Sequence, residues 1–105
     1  MIVPEKLVQG NCYFLLFYYH HKSDIPMIKT LIYIAKNIYI REEPAEDEWY
    51  FQDPESYLEH GSFLHFSKEI EHEKLLVTKD SLVPLFDLAG LIEKLREIKE
   101  RNPKF

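Results

Sequence analysis

The chain has 105 residues, 46% hydrophobic and 14% aromatic, with a formal net charge of −5 when histidine is neutral. That length fits a single globular domain over residues 1–105, and the apolar content excludes disorder along its body. The negative charge argues against generic nucleic-acid binding, which draws its affinity from Lys and Arg replacing counterions at phosphates.

Residues 1–6 lack the basic and apolar regions of a secretory signal peptide. Gly10-Asn11 marks a turn, and residues 12–20 follow as a strand rich in Tyr and Phe. Tyr13, Leu15, Phe17 and Tyr19 would take one face, and Cys12, Phe14, Leu16 and Tyr18 the other, so this strand must be covered on both sides. Its apolar run, residues 13–19, is far shorter than the ~20 residues a membrane helix needs. Cys12 is the single cysteine, so no intrachain disulfide can form. That fits a reducing, cytoplasmic setting, with Cys12 as a small buried hydrophobe.

Residues 20–27 read as a loop around Pro26, and residues 31–40 as a second strand with a bulge or bend near Lys36-Asn37. An acidic connector over residues 41–48 leads to a third strand, residues 48–52. Asp53-Pro54-Glu55 is a helix start, with Asp as cap and Pro in the first turn, and Gly61 ends that short helix after His60. Alternation of Phe63 and His65 against Leu64 and Phe66 predicts a fourth strand over residues 62–67. A charged turn over residues 68–73 precedes a fifth strand, residues 74–78, and residues 81–86 are extended or a single turn, kept irregular by Pro84.

Asp87 caps a last helix that Asn102-Pro103 stops. Leu88, Leu91, Ile92, Leu95 and Ile98 fall on one helical stripe, expected to pack on the sheet, and Arg96–Glu100 and Glu97–Arg101 are i,i+4 ion pairs. The expected class is α+β: a small, mostly antiparallel sheet or partial barrel of about five strands, packed by a C-terminal amphipathic helix.

No residue pattern here specifies catalysis, a metal or a cofactor. His20, His21, His60, His65 and His72 show neither an HExxH nor a His-x-His spacing, and no second cysteine joins them. Nothing local activates Cys12 as a nucleophile. Asp24, Asp53 and Asp87 suit turns and caps. Three scattered glycines make no phosphate loop. The acidic connector lacks the alternating ligands and central glycine of a calcium loop.

The remaining signal is the connector itself. Glu42, Glu43, Glu46, Asp47 and Glu48 crowd one segment, with Trp49 and Tyr50 directly after it. Carboxylates beside aromatics suit a surface for a basic protein partner, with Trp49 or Tyr50 as anchor. Large aromatics in a small β domain are usually core, however. The expected function is a non-catalytic acidic protein-binding module of an inhibitor, immunity or adaptor kind, in the cytoplasm and without nucleic acid or membrane. The alternatives are a small enzyme or ligand-binding domain with a Tyr/His-lined pocket between sheet and helix, or a structural homodimer subunit.

Overall fold

The computed structural model describes residues 1–20, 25–37, 47–65, 74–78 and 84–105. Strands β1 (Cys12–Phe17), β2 (Met27–Lys36), β3 (Glu48–Gln52), β4 (Lys74–Thr78) and β5 (Leu85–Phe86) are joined by helices α1 (Pro54–His60) and α2 (Leu88–Arg101). The strands form one open sheet in the order β4-β3-β2-β1-β5. All four pairings are antiparallel. The class is α+β, as the sequence pattern predicts, and the sheet is not closed into a barrel.

The bounds of β3, β4 and both helices agree with the sequence expectation, because their signals are local. Asp53 accepts a hydrogen bond from the Ser56 amide at 2.9 Å and so caps α1, with Pro54 in its first turn. Asp87 does the same for α2, accepting from the Gly90 amide at 2.8 Å. Gly90 has a packing reason as well. A Cβ there would stand 3.1 Å from Asp87 Oδ1 and 3.4 Å from the Phe86 ring, so its absence lets the first turn of α2 lie close to both.

Three elements differ from expectation. β1 ends at Phe17 rather than at residue 20, and β2 begins at Met27, inside the expected loop. The cause is pairing: Phe17 lies opposite Met27 and Leu16 opposite Ile28, so β2 starts where its partner ends. The bend expected near Lys36-Asn37 is present, since β2 ends at Lys36 and Asn37 turns into the left-handed region, but β2 also carries a bulge between Tyr33 and Ala35 that the pattern did not indicate. Ile34 is the extra residue, and it flips the alternation of the rest of the strand. Before it, even-numbered residues share the face of Ile32; after it, Ala35 shares that face and Lys36 turns to the other.

The third difference is the expected fourth strand. Phe63–His65 is a 3-10 turn, and residues 66–67 lie outside the described residues. Here a side chain competes with sheet pairing. Gln52, fully buried, accepts from the Phe63 amide at 2.9 Å while its own amide donates to Ser56 Oγ at 2.9 Å and to the Gly61 carbonyl at 3.0 Å. One glutamine thus satisfies groups of α1, the following turn and the 3-10 segment. Leaving either backbone group unpaired in the interior would cost about 1–3 kcal/mol.

Both faces of the sheet are covered. Tyr13, Leu31, Tyr33, Trp49, Phe51 and Leu85 form the core of one face, with Ile2 and Leu7 of the N-terminal segment packed over it. That segment also covers the β5 edge, where the Ile2 amide donates to the Leu85 carbonyl at 2.8 Å. On the opposite face α2 covers β1 and β5 through Leu16, Phe86, Leu91 and Ile98, with Leu95 and Phe105 partly buried beside them. Tyr57 and Phe63 cover the Ile32, Ile34 and Tyr50 region of that face.

The α2 stripe is only half used. Leu91 and Ile98 are buried, whereas Leu88 is 59% and Ile92 43% exposed. The five residues lie within about 120° of the helix circumference, with Leu88 and Ile92 on one flank and Leu91 and Ile98 on the other, and α2 turns the Leu91 and Ile98 flank to the sheet. The ion pair seen on α2 is Lys94–Glu97 at 3.3 Å, of i,i+3 type, rather than either of the expected i,i+4 pairs. Cys12 is exposed, not buried as expected. β5 reaches β1 only at Phe14 and Leu15, so the start of β1 has no partner on that side among the described residues.

Candidate functional site

The acidic connector leaves the sheet at the end of β2 and returns at the start of β3. Glu42, Glu43 and Glu46 lie outside the described residues. Their anchorage is described, and it is built from polar contacts. Asn37 closes the neck of the hairpin. Its amide donates to the Glu48 carbonyl at 2.7 Å, and its side-chain oxygen accepts from the Glu48 amide at 2.8 Å. Its side-chain nitrogen donates to Asp47 Oδ1 at 3.0 Å. Asn37 sits at φ 53°, in the left-handed region that asparagine tolerates better than most residues.

Lys36 completes the neck. Its ammonium lies 3.1 Å from Asp47 Oδ2 and 5.4 Å from the centre of the Trp49 ring. An exposed ion pair of this kind contributes at most about 1 kcal/mol, and a cation over an indole adds about 0.5–1 kcal/mol. Asp47, at the end of the connector, is thereby held by both Asn37 and Lys36.

The next three expected site residues turn inward. Glu48 is buried and accepts from the Tyr50 hydroxyl at 3.1 Å. Trp49 is 1% exposed, and Tyr50 is buried among Ile32, Ile34 and Phe63. Trp49 and Tyr50 point to opposite faces of the sheet, and each meets a covered face. Neither is therefore placed to act as an exposed aromatic anchor; both serve the core. Of the expected binding residues among the described ones, only Asp47 keeps part of its side chain at the surface.

The described surface holds another feature, which the sequence did not indicate. An open groove of about 680 Å³ runs between α2 and the ends of β1 and β5. Leu16 and Phe86 form its apolar base, Phe17, Tyr18 and Met1 its walls, and Glu93, Lys94 and Glu97 its charged rim. Gly90 also lines it, and the missing side chain there keeps that wall low. A pocket between sheet and helix was among the expected alternatives, with Tyr and His in its lining. Among the described residues its lining contains Tyr18 and no histidine. The groove draws on four separate stretches of chain, so no local pattern could have revealed it.

Of the remaining titratable groups, Tyr33 departs from ordinary behaviour. Burial pushes its phenol pKa up, and the neighbouring Tyr13 adds to the rise. Its ring stands 5.5 Å from that of Phe51, inside the core. The Tyr13 hydroxyl accepts from the Val8 amide at 2.8 Å, which ties the N-terminal segment to the sheet. Both tyrosines thus have structural work in this face.

Among the described residues no group of three or more His, Cys, Asp or Glu side chains is placed to hold a metal ion. His60 lies beside Glu59 at 3.6 Å at the exposed end of α1, His65 is exposed in the 3-10 turn, and His20 is exposed after β1. His21 and His72 lie outside the described residues. No helix among the described residues is long and apolar enough to cross a membrane. No protein-family model matches this chain, and neither the curated protein sequences nor the solved structures contain a match to it.

Proposed function

We propose that this chain is an acidic protein-binding module of the inhibitor, immunity or adaptor kind, acting in the cytoplasm on a basic protein partner. The contact is made by the connector acids Glu42, Glu43, Glu46 and Asp47. The observation that supports this most is the hairpin neck. Asn37, Asp47, Glu48 and Lys36 bind one another at both ends of the connector. The two points where the carboxylate-rich connector joins the sheet are thereby tied to each other at one end of the sheet. Charge concentrated on one segment raises association rates and selects for a partner of opposite sign. Trp49 and Tyr50 support the neck from the core and, being buried, leave the partner to the acids. Glu48 contributes its backbone to the clamp and its carboxylate to Tyr50.

The test is affinity purification from the native cell with the natural chain and with a Glu42→Lys, Glu43→Lys, Glu46→Lys variant. A basic protein should be recovered with the former and lost with the latter. Its measured association should slow at least tenfold in the variant and lose most of its salt dependence. Equal recovery and equal salt dependence, with the variant folded, would remove the connector from the contact.

An alternative without a protein partner rests on the groove. Its volume of about 680 Å³ and its apolar base fall within the range typical of small-molecule sites, about 300–1,000 Å³. Saturable binding of one equivalent of an apolar fluorescent probe, abolished by Tyr18→Glu, would favour ligand binding there. Weak, unsaturable binding that ignores Tyr18 would dismiss it.

A further inference from the structure

We draw no further inference here: the strongest candidate, the outer edge of β4 at the far side of the sheet from the edge that Ile2 covers, has no pairing partner among the described residues, and nothing in the structure shows what covers it.

Discussion

The two ends of the sheet are built on opposite principles. At the hairpin neck, polar side chains bind one another and the backbone, and the apolar residues Trp49 and Tyr50 withdraw into the two covered faces. At the other end, where β1 stops and α2 begins, apolar side chains stay at the surface and line an open groove. β2 runs from Met27, beside the groove end, to Lys36 at the neck, a span of about 30 Å at ~3.3 Å per residue. Charge at the neck acts over a Debye length of about 8 Å in physiological salt, whereas an apolar groove needs contact. The two ends are therefore separate surfaces, and each suits a different occupant.

Aromatic residues give the sharpest way to break this comparison. Trp49→Ala removes a fully enclosed indole and should cost about 3–5 kcal/mol in a denaturant melt. Tyr18→Ala, at the groove wall, should stay within about 0.5 kcal/mol of the natural chain. Similar losses for the two would mean that the groove end is as closed as the neck end.

Asn37 tests the clamp with a smaller effect. Asn37→Ala removes the acceptor for the Glu48 amide and places an alanine at φ 53°, which should cost about 1–3 kcal/mol. Asn37→Gly loses the same hydrogen bonds without the backbone strain and should lie between alanine and the natural residue. If the glycine variant is the less stable of the two, the left-handed backbone is not what asparagine serves there.

Tyr33 offers the smallest effect, visible only in alkali. Its folded pKa is raised above the ordinary value of 10.0, so the folded state keeps the proton after the unfolded chain has begun to lose it. The associated stabilisation is complete below about pH 10 and declines as pH rises from there through the folded pKa. Tyr33→Phe cannot ionise, so stability measured against pH should fall less steeply above pH 10. An identical decline in both proteins would place its origin at another group.

Much of the fold was legible because its signals are short-range. Asp53, Pro54 and Gly61 delimit α1, and Asp87 with Asn102-Pro103 delimits α2, through bonds that close within a few residues. The candidate site was legible only as a composition. Carboxylates mark the connector in any fold, but whether Trp49 faces water depends on what covers the sheet. Ile2 and Leu7, more than forty residues earlier in the chain, belong to the core that encloses it.

The chain by itself determined the α+β class, the two helices with their caps, the strands at Glu48–Gln52 and Lys74–Thr78, and the concentration of negative charge before Trp49. Each follows from chemistry within a few residues. Tertiary structure decided what depends on partners distant in sequence. The Gln52 amide held Phe63–His65 as a turn where alternation favoured a strand. The bulge at Ile34 reversed the faces of Ala35 and Lys36, bringing Lys36 over Trp49. Packing buried Leu91 and Ile98 and left Leu88 and Ile92 outside, because a helix meets a sheet along one side only. The groove arose where Met1, Phe17, Pro84 and Gly90 converge, a meeting that only the folded chain brings about.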